Sequence, residues 1–142
     1  RFTYMIVGLR TAEVYLMLAE ANARLNQLSQ AANYVNQLRA KRLSGGNTDI
    51  ATPSSQKEMM DQIILERRKE LLFGFNRFFD LKRFNLEPEY QKTITRQFPV
   101  VNTSEAYPQK TYTLQPNSRM YIIPFPHSAR DKNPNLTLNT DE

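Results

Sequence analysis

At 142 residues the chain is long enough for one domain with a real core, and its net charge of +5 is a Lys/Arg excess of 19 over 14 spread along the sequence. It has no Cys, which excludes disulfides, thiolate metal sites and a Cys nucleophile within these residues; no apolar run approaches the roughly 20 residues of a membrane helix. Arg67, Arg68 and Lys69 stand beside Glu66 and Glu70, and Lys82 and Arg83 beside Asp80, so a mixed-sign helix surface is expected rather than a nucleic-acid footprint.

Arg1–Val7 reads as an extended run entered mid-fold. Leu9 to Asn26 reads as a first helix, with Glu13 in its first turn where the helix dipole favours an acid. Val14 to Ala19 is apolar on every side, which predicts a helix buried between neighbours. Asn26-Gln27-Leu28 breaks it, and Ser29 is placed as the N-cap of a second helix running to about Arg42. Ala31, Ala32, Val35 and Leu38 form its single apolar stripe. Two helices so close in sequence make an antiparallel hairpin. Counted from Tyr15, Leu18 and Ala19 fall at early tetratricopeptide positions, and Ala31 and Val35 at second-helix positions. Asn22 stands where that repeat usually has Tyr, and no Pro follows the second helix.

Ser44-Gly45-Gly46-Asn47 is a loop signal, and Ser55-x-x-Glu58 is a capping box for a third helix. That helix carries Met59, Met60, Ile63, Ile64, Leu71 and Leu72, with Arg67 on the apolar side and therefore in need of a partner. Gly74 marks a turn, and Asn76 to Phe84 reads as a fourth helix. The stretch Glu66–Phe84 is the centre of the arrangement: Phe73, Phe75, Phe78, Phe79 and Phe84 alternate with fixed charges, so Phe73, Phe78 and Phe79 are expected to be mostly buried. After Leu86 seven prolines exclude long helices. Thr111–Leu114 and Met120–Ile123 read as short strands joined across Gln115-Pro116-Asn117-Ser118. The fold class is thus mainly α: tetratricopeptide-like antiparallel hairpins over about 9–86, then a Pro-rich, largely irregular tail with short strands over about 87–142. Residues 1–142 read as a single domain or a fragment.

The catalytic inventory is thin. Glu66 and Glu70 with Arg67 have the composition of an acid pair with a cation, but carboxylates one turn apart on a helix more often belong to ion pairs. Glu66, Arg67, Glu70, Arg77 and Asp80 are therefore read as a structural network. His127, the sole His, lies in a Pro-rich loop beside Ser128 and completes no triad; no metal-ligand spacing and no phosphate-binding loop is present beyond the isolated Gly45-Gly46. No catalytic residue, metal or cofactor is expected. Asn102-Thr103-Ser104 and Asn135-Leu136-Thr137 match the glycosylation pattern, which matters only in a eukaryotic secretory setting. Tyr90, Tyr107 and Tyr112 lie beyond the helices near Asn and Gln, the material of sugar-binding surfaces, where ring faces stack on pyranoses and amides bond hydroxyls. Tyr107 and Tyr112 are the candidate ligand-binding residues.

Three segments in order, RTAEVYLMLAEA (Arg10–Ala21), ILERRKELLFGFNRFFDLKRF (Ile64–Phe84) and YIIPFPHSARDKNPNLTLN (Tyr121–Asn139), resemble the C-terminal part of SusD/RagB-type proteins. The middle one is the most specific, and the tail is similar to the family's closing Ile-Pro followed by Asn-Pro-Asn-Leu. Gly74-Phe75 stands where the family usually has an acidic residue and then Gly. The resemblance implies a tetratricopeptide-like scaffold in a surface glycan-binding lipoprotein of Bacteroidetes outer membranes. It further implies a lipid anchor upstream of these residues, a TonB-dependent outer-membrane transporter (SusC-like) as partner, an oligosaccharide ligand and no enzyme activity. A tetratricopeptide-type protein or peptide adaptor is the alternative.

Overall fold

A computed structural model describes residues 8–45, 48–72, 74–98 and 109–136. The extended run Arg1–Val7, Phe73, Tyr107 and the sequon at Asn102 lie outside the described residues. The chain is mainly α, as its spacing predicts: α1 (Thr11–Arg24), α2 (Leu28–Arg39), α3 (Gln56–Glu70), α4 (Asn76–Phe84) and the single turn α5 (His127–Arg130). The strands β1 (Ile94–Phe98) and β2 (Lys110–Leu114) form a two-stranded antiparallel ribbon. The chain divides into two compact units, residues 1–77 and 78–142.

In the first unit α1 packs on both α2 and α3. The helix-spaced series Ala12, Leu16, Ala19 and Ala23 is buried against Ala31, Ala32, Val35 and Leu38 of α2 and Met59, Met60 and Ile63 of α3. Alanines in the first two series let the backbones approach closely, while the larger side chains of α3 fill the remaining space. The expectation that α1 is buried on all sides is corrected: Val14, Met17, Leu18 and Leu25 are 39%, 51%, 41% and 71% exposed, so one face is covered and another is open.

The helix ends follow local chemistry. Asn26 adopts a left-handed φ of 58°, the Gln27 amide donates to the Asn22 carbonyl at 2.8 Å, and the Asn26 amide donates to that of Ala23 at 2.9 Å. This is the Schellman pattern, and Asn tolerates its left-handed residue better than a larger side chain would. Gln56 adds two 2.9 Å bonds from its Nε2 to the carbonyls of Ala23 and Arg24. The second helix starts earlier than Ser29 suggests. Its N-cap is Gln27, without a side-chain cap, because the tight turn leaves no residue between the Schellman motif and Leu28. The capping box forms at α3: the Glu58 amide donates to Ser55 Oγ at 3.2 Å, while Glu58 Oε2 accepts from the Ser54 amide at 3.1 Å and its hydroxyl at 2.9 Å. Asn36 pins the incoming loop with a two-way bond to the Ile50 backbone, at 3.1 and 2.9 Å.

At the start of α4 the turn signal at Gly74 is displaced by one residue. Phe75, not Gly74, holds the left-handed φ, at 56°, and its ring is 69% exposed. An exposed aromatic in that region carries backbone strain with little burial to offset it.

In the second unit Phe84 is buried, with the Arg83 guanidinium 4.0 Å from its ring centre and Tyr90 edge-on at 6.1 Å. Phe78 is half-buried between Phe79 and Tyr121, with ring centres at 5.6 and 5.7 Å. Phe79 departs from expectation at 59% exposed, since Asp80 and Phe84 take the inward positions of α4. Asn85, buried, ties down the following loop: its carbonyl accepts from Gln91 Nε2 and its Oδ1 from the Lys92 amide, both at 3.0 Å. The predicted strand at Met120–Ile123 is also corrected. Residues Arg119–Tyr121 form a 3-10 turn capped by Ser118, and β2 pairs instead with β1, in the register Ile94↔Leu114, Arg96↔Tyr112 and Phe98↔Lys110. Ile122 and Ile123 are exposed, so the apolar run of that segment is no guide to strand pairing.

Candidate functional site

Glu66, Arg67 and Glu70 of α3 face the first two helices. Glu66 Oε1 accepts from Arg39 Nη1 at 2.7 Å and from Lys69 Nζ at 2.8 Å, while Arg39 Nε donates to the Thr48 carbonyl at 2.6 Å. Arg39 therefore links α2, α3 and the loop between them. Arg67 is buried with its Nη2 3.9 Å from Glu13 Oε1 on α1. Glu70 is gripped by Arg42, whose Nε and Nη2 reach the carboxylate at 2.8–3.1 Å, with Arg10 Nη2 3.8 Å away. The bonds from Arg42 hold the Glu70 carboxyl below the usual carboxylate range against the opposing effect of burial, and raise the Arg42 guanidinium in turn. A general acid needs the opposite shift, upward toward the working pH. Glu70 is thus held as an ionised acceptor for Arg42, and Glu66 accepts from Arg39 and Lys69.

Asp80, buried on α4, accepts from Arg83 Nη2 at 3.1 Å, and Arg77 is half-buried on the first turn of the same helix. His127 opens α5 and is exposed, with Nδ1 3.5 Å from Arg130 Nη1. Among the described residues no three His, Asp or Glu side chains gather as metal ligands.

Among the described residues two surfaces offer places for a ligand. One is a hollow of about 480 Å³ between the start of α1 and the end of α2, lined by Thr11, Tyr15, Gln37, Leu38, Lys41 and Arg42. Tyr15 is steadied there by an edge-on contact with Tyr34 at 6.1 Å. The other is the ribbon. Tyr112 sits on β2, 54% exposed, opposite Arg96 and with Lys110 Nζ 5.5 Å from its ring centre. Phe98, 68% exposed, is cross-strand from Lys110. Reading the ring of Tyr112 missed Arg96 and Phe98, because their strand was not recognised: Ile94 and Phe98 bracket three polar residues, so the run lacks the alternation that marks a strand.

The family model described as the SusD family covers residues 3–141, and the chain belongs to that family. Two curated relatives come from Formosa agariphila. SusD-like protein P2 is 34% identical over 141 residues, which is 94% of this chain and 25% of the relative. SusD-like protein P38 is 38% identical over 85 residues, 56% of this chain and 17% of that protein. The chain thus spans about a quarter of the length of the first of these relatives. No solved structure matches it.

Proposed function

We propose that this protein is a non-enzymatic carbohydrate-binding subunit of an outer-membrane nutrient importer. It captures an oligosaccharide at the cell surface and passes it to a TonB-dependent transporter of the SusC type. The observation that carries this reading is the match to the SusD family along nearly the whole chain. The carboxylates add support: Glu66 and Glu70 of α3 are paired with Arg39 and Arg42, and capture needs shape, stacking and hydrogen bonds rather than proton transfer. Attachment to the membrane, on this reading, is through a lipid. Among the described residues no helix is long and apolar enough to cross a bilayer.

The test is retention of the purified protein on immobilised glycans of varied linkage, together with co-purification of a TonB-dependent transporter from solubilised outer membranes. Selective retention and a co-purifying transporter are expected. Indifference to every glycan would remove the proposal. The hollow beside Tyr15 and Leu38 favours a second reading, a peptide-binding adaptor of tetratricopeptide type, which predicts binding to a peptide array and none to glycans.

A further inference from the structure

The two faces of the ribbon differ in chemistry. Side chains alternate along a strand, so the paired register divides them cleanly. One face carries Thr95, Gln97, Thr111 and Thr113. The other carries Ile94 and Leu114 at its base, then Arg96 beside Tyr112, then Phe98 beside Lys110. Directly opposed residues place their Cβ atoms about 4.5–5.5 Å apart, and diagonal neighbours about 7–8 Å apart. Arg96, Tyr112, Phe98 and Lys110 therefore make one continuous patch of two rings and two cations, all four exposed. The ten strand residues include no Asp or Glu, so the ribbon itself supplies nothing to neutralise the cations. Exposed Phe and Tyr of this extent keep apolar area in water, while a fixed positive charge beside them selects what covers it.

We propose that this face binds an oligosaccharide that carries uronate carboxylates. The proposal rests on the carbohydrate-binding reading above and names the chemical class. Each part of the patch has a counterpart in such a ligand. The apolar face of a pyranose covers the ring of Tyr112 or Phe98. The planar guanidinium of Arg96 fits a carboxylate with two parallel hydrogen bonds. The Lys110 ammonium, already at the ring of Tyr112, meets a charged substituent of the sugar stacked there. Within the ribbon a neutral glycan would leave both cations without a counter-charge, and a polyanion without sugar rings would leave both aromatic faces uncovered.

The experiment measures equilibrium binding of the purified protein to oligogalacturonates and oligomannuronates, to their methyl esters and to neutral oligosaccharides of the same length. Methyl esters keep the rings and remove the charge. The acids are expected to bind at least about tenfold more tightly than their esters, a difference of about 1.4 kcal/mol. That preference should weaken with salt and vanish in the double variant Arg96→Gln/Lys110→Gln. Tyr112→Ala should weaken acid and ester alike. All three positions are exposed, and an unchanged thermal midpoint checks that folding is intact. Equal affinity for acid and ester, or an acid preference unmoved in the double variant, overturns the uronate proposal. Equally tight binding of polyglutamate overturns it as well. Tight binding of a neutral glycan unaffected by the ribbon variants overturns it while leaving the carbohydrate-binding reading intact. Failure to bind any oligosaccharide overturns both.

Discussion

Replacing Arg39 by Met separates a pair that holds three elements together. Glu66 keeps a side chain 9% exposed and Arg39 one 19% exposed, with 2.7 Å between them. Removing one partner of a fully buried pair costs about 3–5 kcal/mol, because the other charge is left without compensation. Two features of the structure adjust that figure. Lys69 Nζ stays 2.8 Å from the same oxygen, but it is half exposed and offsets only part of the loss. The bond from Arg39 Nε to the Thr48 carbonyl is lost too, for about 1 kcal/mol. Met retains most of the apolar stem, so packing changes little. The expected cost is about 2–4 kcal/mol. In urea, with a slope of about 2 kcal/mol per M, the midpoint should fall by about 1–2 M. The double variant Arg39→Met/Glu66→Met removes the stranded carboxylate and should recover more than half of the loss. A single variant within about 0.5 kcal/mol of the parent would refute the reasoning, as would a double variant no better than the single.

Other outcomes test the rest of the account. Ile63→Ala, at a fully buried position, should cost about 2–5 kcal/mol, whereas Leu65→Ala, 43% exposed on the same helix, should cost under about 1 kcal/mol; equal losses in thermal unfolding would mean the inward face of α3 is misassigned. Glu58 and Glu70 are both held below the ordinary glutamate value of 4.5, by bonds from Ser54 and from Arg42 respectively. Their contribution is fully present above that value and is lost as pH falls through the lowered folded values; acid titration of Arg42→Ala should show a shallower loss of stability below pH 4.5 than the parent. Phe75→Gly should relieve left-handed strain and leave thermal stability unchanged or raised by up to about 1 kcal/mol, and a clear loss would show that the exposed ring is doing packing work.

Much of the fold was legible because local signals there agree with the tertiary outcome. The stripe Ala31, Ala32, Val35 and Leu38 is the buried face of α2, and Asn76–Phe84 is the fourth helix. The capping box at Ser55 starts α3. Where local and long-range forces part, sequence reading failed. Ser29 is a good cap in isolation, but the Schellman turn at Asn26 sets the start of α2 one residue ahead of it. Met120–Ile123 has strand composition, yet the ribbon takes its second strand from 26 positions before Met120, at Ile94, and no local pattern encodes that partner. The need of Arg67 for an anion was visible from its apolar neighbours; that Glu13, 54 residues earlier, supplies one is a product of the α1–α3 crossing. The candidate site was the least legible part. Tyr112 was singled out together with Tyr107, on a strand expected to pair with Met120–Ile123, and only the register with β1 surrounds it with Arg96, Lys110 and Phe98.

The central claim is that the protein captures a carbohydrate and leaves it intact. The most direct measurement is the mass of the oligosaccharide recovered from the protein after prolonged incubation and separation from free ligand. A selectively retained glycan of unchanged mass is the predicted result. Shortened fragments would contradict a non-enzymatic role, and a protein that retains no glycan at all would contradict the account at its root.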